Sequence, residues 1–390
     1  MSFPSSELSP PPPPSPPPPP SSELEENTSA TSVIIKQENA SNSPKTSKNY
    51  NLLLAINYAF LFVGSVSSTL IFKFYFIHKG SSRWVSTWVQ SAGFPLLLLP
   101  VFLPYYLFKC TRRRPFSDFS SKLLLLSLAV GVFLGVNNFL FSWGNSYLPV
   151  STASLLLSSQ LAFNLILSVI IVKQKITFMN LNCVILLTLS SVLLALSSSH
   201  DKPHGLTRGK YLVGFFSTLG AGFLFALYLP VMETIYRGVY CYSMVIEMQL
   251  VMEMAATVFA TVGMAADGGF SDMKVESARG FDKGPVAYWY TIAGNLVLWQ
   301  FCFMGTAGMV FLTTSLTGGI CMTALMAMNV VGGVVVYGDE FGGVKVVSTV
   351  LCVWGFCSYL YGMYMKNKNQ KQSHQSSIEM EEVFITHTAS

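Results

Sequence analysis

The stretch LLLLSLAVGVFLGVNNFLFSW, Leu123–Trp143, runs for 21 residues without a charge. A helix rises about 1.5 Å per residue, so this segment is about 30 Å long, the thickness of a bilayer's hydrocarbon core. Nothing in that core can hydrogen-bond the backbone, so a spanning segment must satisfy its own N–H and C=O groups as a helix or barrel strand. A block this long is a helix.

Nine further blocks read the same way. The sequence predicts ten spans: Leu52–Phe72, Trp84–Phe108, Leu123–Trp143, Val150–Val172, Ile176–Leu196, Tyr211–Met232, Tyr242–Met264, Val286–Gly308, Leu316–Tyr337 and Val344–Met365. Composition agrees, with 51% hydrophobic and only 11% charged residues in a chain of 390, against about 25% charged in soluble domains. These figures exclude a soluble enzyme, a nucleic-acid-binding module and a secreted disulfide scaffold. The net charge of +5 is spread over loops and tails and indicates no polyanion partner. Seven cysteines form no CxxC pair, and most lie inside apolar blocks as small hydrophobes.

Residues 1–50 differ in kind. Eleven of the 20 prolines fall in the first 20 residues, and such a segment has too little apolar surface to offset its chain entropy. It is expected to be an extended, solvated tail, which could dock a proline-recognising partner. It has no basic start followed by an apolar stretch, so the first span is expected to serve as an uncleaved targeting signal. With the amino terminus inside, inner segments collect 14 of the 24 basic residues, placing both tails in the cytosol. The glycosylation sequons at Asn27 and Asn39 would then go unused. The plasma membrane is the expected location.

The two halves resemble each other. At an offset of 165 residues Thr152 matches Thr317, Ala162 matches Ala327, Asn164 matches Asn329 and Val169 matches Val334. Five spans per half is an odd number, so the second half must enter the membrane from the opposite side. The expected fold is all-α and integral to the membrane: ten helices as two inverted five-helix repeats, 51–198 and 211–365, with a linker at 199–210 and a polar tail at 366–390. Inverted repeats are common among alternating-access transporters, whose substrate site lies near mid-membrane between the repeats.

Polar residues inside the spans narrow the chemistry. Only the seventh span carries carboxylates well inside, at Glu247 and Glu253. At 100° per residue Gln249 and Glu253 share one face within about 40°, while Glu247 lies about 120° away, close enough to one end to reach the headgroups. Burial disfavours a carboxylate's charged form, which suits Glu253 to proton coupling; permanent pairing with a buried donor is the alternative. The remaining polar residues inside the spans are mostly amides, Asn57, Gln90, Asn137, Asn138, Gln160, Asn164, Asn182, Asn295, Gln300 and Asn329, of which Gln90, Asn138, Gln160, Asn164, Asn295 and Asn329, together with Gln249, are the binding candidates. Each offers donors and an acceptor to a neutral heterocycle, or serves as interhelical glue. Gly131, Gly135 and Asn138 form a stripe that permits close helix approach. Trp88 and Trp299 could sandwich a flat ligand or simply pack. No Lys or Arg lies deep in any span, which favours a flat, polar, largely uncharged substrate. The five histidines lie outside the spans, and HExxH, GxSxG and phosphate-binding glycine loops are absent, so neither an enzyme nor a cofactor or metal site is predicted. Asp339 and Glu340 read as a helix-end charge pair for Lys345.

Longer words add a resemblance. Gly64-Ser-Val-Ser-Ser-Thr, Lys73-Phe-Tyr-Phe and Gly80-Ser-Ser-Arg-Trp-Val-Ser-Thr-Trp-Val-Gln-Ser-Ala-Gly-Phe-Pro95 precede Leu96–Pro100. With Pro149-Val-Ser-Thr-Ala-Ser154, Gln174-Lys-Ile-Thr177 and Trp354-Gly-Phe-Cys-Ser-Tyr359, they are similar to the plant purine permease family of the drug/metabolite transporter superfamily. The resemblance covers residues 51–365. It implies ten helices in two inverted repeats and proton-coupled uptake of adenine-like bases, cytokinins and related alkaloids; it identifies no binding residue. A nucleotide-sugar exchanger of the same superfamily would want basic residues lining its cavity. A non-transporting receptor or scaffold would depend on the Pro-rich tail.

Overall fold

The computed structural model describes residues 44–107, 109, 113–148, 153, 156, 157, 159–173, 178–198, 207–338, 342–344, 346–351, 353–359, 361, 362, 364 and 365. The proline-rich tail, Thr152, the loop holding His200 and His204, and Asp339, Glu340 and Lys345 lie outside the described residues. The chain divides into two units, Met1–Leu52 and Leu53–Ser390. Of the first, only the start of a helix is described; everything below concerns the second.

All regular structure among the described residues is helical. The helices are α1 (Pro44–Ile77), α2 (Arg83–Ser91), α3 (Leu98–Tyr106), α4 (Ser121–Tyr147), α5 (Gln160–Val172), α6 (Phe178–Ser198), α7 (Arg208–Tyr236), α8 (Tyr242–Ala266), the short α9 (Gly269–Val275), α10 (Gly284–Leu312) and α11 (Ser315–Tyr337). A further apolar helix, α12, covers Val346–Tyr359. Among the described residues seven segments are long and apolar enough to cross a membrane: Tyr50–Ile77, Arg83–Tyr106, Ser121–Tyr147, Arg208–Tyr236, Tyr242–Ala266, Gly284–Leu312 and Ser315–Tyr337. At the other three expected spans the apolar helical stretches among the described residues are shorter: Gln160–Val172, Leu181–Ser190 within α6, and Val346–Tyr359. The fourth expected span is shortened because much of its first third lies outside the described residues.

Local chemistry sets the ends and breaks. The Ser82 hydroxyl caps α2 by accepting from the Val85 N–H (3.5 Å), and Ser120 caps α4 through the Leu123 N–H (3.2 Å). The second spanning segment is not one continuous helix. After Ser91 it turns through Ala92 and Gly93 into a 3-10 turn, Phe94–Leu97, with Pro95 at its start, and resumes as α3. Proline has no N–H to give the preceding turn, so the break falls where the sequence puts it.

Helix α8 is the most buried of the spanning helices. It packs most extensively on α4 and also meets α2, α10 and the 3-10 turn. Its approach to α4 needs Gly131, where a Cβ would stand 2.4 Å from the Met252 carbonyl oxygen. The glycine stripe read in the sequence thus faces α8. Likewise α1 and α10 touch backbone to backbone at Gly64, where a Cβ would meet the Cys302 nitrogen at 2.4 Å. Close contact of this kind supplies the van der Waals packing that holds helices together where lipid removes the hydrophobic drive.

Candidate functional site

Glu253 sits at the middle of α8 and is 0% exposed. Four residues earlier, on the same face, Gln249 donates from Nε2 to Glu253 Oε1 at 2.9 Å. From α10, Gln300 donates from Nε2 to Glu253 Oε2, also at 2.9 Å. Both carboxylate oxygens are therefore held by amides, and among the described residues neither is met by a cation. The titratable side chains with an electrostatic interaction with Glu253 are Tyr228 on α7 and Cys302 on α10. The amide oxygens of Gln249 and Gln300 are buried without a hydrogen-bond partner. Gln300 lies against the break in the second span: a Cβ on Gly93 would stand 2.7 Å from its Cγ.

Preceding Gln300 on α10 is Trp299, which meets Phe141 of α4 edge-on at 5.7 Å and stacks with Phe303 at 5.5 Å; its indole N–H has no partner among the described residues. One turn before Phe141, Asn138 is buried with its Nδ2 unpartnered, and its backbone carbonyl accepts from Gln90 Nε2 at 3.3 Å. Gln90 Nε2 also contacts Ser86 O (3.1 Å) and Ser142 Oγ (2.8 Å), so this amide binds α2 to α4. On α10, Asn295 is buried with its Oδ1 unpartnered.

Other candidates stand elsewhere. Gln160 is buried on α5 with Nε2 unpartnered, near Gly222 of α7. Asn164 donates to the Ser315 carbonyl (3.1 Å) and accepts from Ser168 (3.3 Å), joining α5 to the start of α11. Its sequence counterpart Asn329 reaches Thr69 of α1 at 3.4 Å. Trp88 is half-buried in the aromatic cluster of Tyr75, Phe281 and Tyr288.

Three features escaped the sequence. Glu247 does not reach toward headgroups; it is 2% exposed and takes both forks of Arg113 at 3.1 Å. A guanidinium from the 113–120 loop reaches back over the start of α8, and the two charges compensate each other. Arg113 also donates to Asp118 (2.9 Å) and Ser243 (3.0 Å), and Tyr240 donates to Asp118. The Tyr240 hydroxyl first, then the Arg113 guanidinium, hold the Asp118 carboxyl below the usual carboxylate range. Beyond the opposite end of α8, Glu276 is 4% exposed in a π-helical turn. It accepts from the Ser81 N–H (2.7 Å) and hydroxyl (2.9 Å), the Ser82 N–H (2.9 Å), and the hydroxyls of Tyr75 (2.7 Å) and Tyr288 (3.3 Å). The third is the contact of Gln300, one of the intramembrane amides, with Glu253, which depends on how α10 turns.

A bundle of apolar helices with a buried carboxyl among uncharged amides defines the class: an integral, multi-pass, all-α membrane protein. A family model described as purine nucleobase transmembrane transport matches residues 52–369, and the chain belongs to that family. It is 67% identical over 298 residues to "Probable purine permease 4" of Arabidopsis thaliana, covering 76% of this chain and 78% of that one. It is 34% identical to "Purine permease 3" and 33% identical to "Purine permease 2" of the same plant. Each match covers 83% of this chain, with 94% and 95% of the respective relatives. A solved crystal structure superimposes with a TM-score of 0.54 over 80% of this chain and 96% of its own, at 11% identity, a likeness of fold alone. The family is one of transporters.

Proposed function

We propose that the protein is a proton-coupled symporter of purine nucleobases and derivatives such as adenine or cytokinins, working by alternating access. The observation that carries the reading is the Gln249–Glu253–Gln300 trio: a fully buried carboxyl with amide donors on both oxygens and no cation. A carboxylate in this position is costly while charged, and taking up a proton relieves that cost. A permanent salt bridge would have no reason to exchange protons; an amide-held carboxyl keeps both forms within reach. Trp299, Asn138 and Asn295 supply an aromatic face and unspent amide groups for a flat, neutral base; of the other candidates Gln160 also keeps an unpartnered amide nitrogen, whereas Gln90, Asn164, Asn329 and Trp88 are engaged in contacts between helices.

Counting α5, α6 and α12 as spans makes ten, in two inverted halves. Supporting the inversion, α6 and α12 run antiparallel. Ser190 bonds to the Ser348 carbonyl at 2.6 Å, while Cys183 and Val184, earlier on α6, pack with Tyr359, later on α12. The helix break at Ala92–Leu97 adjoins Gln300, and interrupted helices are a recurrent setting for transporter sites. The plasma membrane with both tails cytosolic completes the reading.

Uptake of labelled adenine and a labelled cytokinin into cells lacking their own base transporters tests it. Expected is saturable uptake, blocked by the unlabelled bases and collapsed by a protonophore. Uptake indifferent to the protonophore would remove the proton, and no uptake of either base would remove the substrate class.

A further inference from the structure

The Glu253 trio contains two acceptors that nothing uses. An ionised carboxyl can only accept, so both flanking glutamines must face it with their N–H2 groups, as they do at 2.9 Å each. Each amide is planar, so turning its nitrogen toward Glu253 turns its oxygen away. Those two oxygens, Gln249 Oε1 and Gln300 Oε1, are buried and unpartnered. The ionised trio therefore offers a ligand two acceptors.

Protonation changes that count. A carboxylic acid keeps one pure acceptor oxygen and gains one O–H donor. The new hydroxyl proton then competes with the N–H2 hydrogens of the amide it faces. Rotating that amide by half a turn presents its carbonyl to the O–H, and sends its N–H2 to where its oxygen had been. The trio then offers one acceptor and one donor. Among the described residues, the titratable side chains that interact electrostatically with Glu253 from neighbouring elements are Tyr228 and Cys302, a phenol and a thiol rather than a cation.

We propose that Gln249 and Gln300 translate the protonation of Glu253 into substrate recognition, through reversal of one amide that converts a two-acceptor face into the acceptor–donor face complementary to the amidine edge of an aminopurine. This rests on the reading of Glu253 as the coupling group and deepens it: proton and base bind together because only the protonated trio matches the base. Gln249 and Gln300 are thereby specificity residues, and their unpartnered oxygens, each costing about 1–3 kcal/mol when left bare, are what the ligand satisfies.

The test is equilibrium binding of labelled adenine to the purified full-length protein in nanodiscs at pH 5.5 and 7.5. For the wild type, Kd should be about tenfold lower at pH 5.5, the effect of one matched against one mismatched hydrogen bond. Glu253→Gln carries a permanent acceptor and donor, so its Kd should be low at both pH values. Gln249→Met and Gln300→Met keep the volume and delete the amide; at least one should bring the pH ratio near unity. If both Met variants keep the wild-type ratio, the inference fails while proton-coupled transport stands. Should the Met variants not fold, Glu253→Gln decides: a Kd at pH 7.5 equal to the wild type's at pH 5.5 supports the inference, and one equal to the wild type's at pH 7.5 overturns it. A wild type that binds no adenine at either pH overturns both readings.

Discussion

Replacing Glu276 by Ala strips the acceptor from two backbone N–H groups and the Tyr288 hydroxyl at once, and leaves the Tyr75 hydroxyl only its 3.4 Å contact with the Ser82 carbonyl. The carboxylate accepts five hydrogen bonds, three on Oε1 from Ser81 and Ser82 and two on Oε2 from Tyr75 and Tyr288. The Ser81 hydroxyl belongs to an exposed residue and can turn to water, leaving four donors that matter. At about 1 kcal/mol each for donors left unmade, the loss is about 4 kcal/mol. Glu276→Gln keeps one acceptor oxygen for the two serines and can turn its N–H2 toward the tyrosine oxygens. It forfeits the charge assistance and leaves the Tyr288 O–H to find another acceptor, together about 2 kcal/mol. The assay is reversible denaturation in detergent followed by tryptophan fluorescence, with a double-mutant cycle to Tyr75→Phe. Removing the Tyr75 hydroxyl should cost about 1.5–3 kcal/mol in the wild type and under about 0.5 kcal/mol once Glu276 is Ala. A Glu276→Ala protein within about 1 kcal/mol of the wild type, or additive costs in the cycle, would refute the claim that this carboxylate ties the turn before α2 to the start of α10.

Arg113→Ala should destabilise by about 3–5 kcal/mol, because it leaves the Glu247 carboxylate buried without its partner; the monodisperse fraction after extraction reads this, and Arg113→Met with Glu247→Leu should recover part of the loss. Asp118, held below its ordinary value in the folded protein, stabilises at neutral pH and loses that contribution as pH falls below about 4, through its folded value. Thermal scans of wild type and Asp118→Asn should therefore differ at pH 7 and converge in strong acid. Gln90→Leu should lower folded abundance, since it cuts the bonds to Asn138 and Ser142. Gln160→Leu, which removes an unpartnered group, should leave abundance intact and raise the KM for adenine about five-fold or more if the ligand uses that group.

What the sequence made legible follows from what the bilayer forbids. Apolar length marks helices such as Tyr242–Ala266, found within two residues of the expected Tyr242–Met264, because backbone groups in hydrocarbon leave no other choice. The 3.6-residue period placed Gln249 beside Glu253, a contact within one helix. It could not place Gln300, because the rotation of α10 about its own axis is set by Gly64, Gly305 and other interhelical contacts. Glu247 was misjudged for a related reason: its partner Arg113 sits in a polar loop 134 positions away, and loops carry no periodicity to show where they return. Glu276 lay outside every apolar block, where a carboxylate normally means solvent, and only the folded turn shows it buried. The amides were visible as a set, but division between glue, as at Gln90 and Asn164, and unspent groups, as at Gln160 and Asn295, needs three-dimensional partners.

The most direct measurement of the central claim is accumulation of labelled adenine by proteoliposomes under an inward proton gradient, wild type against Glu253→Gln. On the proposed symport, the wild type should concentrate adenine above the external level and do so faster as the outside is acidified from about pH 7.5 to 5.5. Glu253→Gln keeps the shape and the amide contacts but cannot take up or release a proton. It should exchange internal for external adenine without concentrating it and without responding to pH. A Glu253→Gln protein that still concentrates adenine with the wild-type pH dependence would contradict the account and leave Glu253 as a buried hydrogen-bond partner.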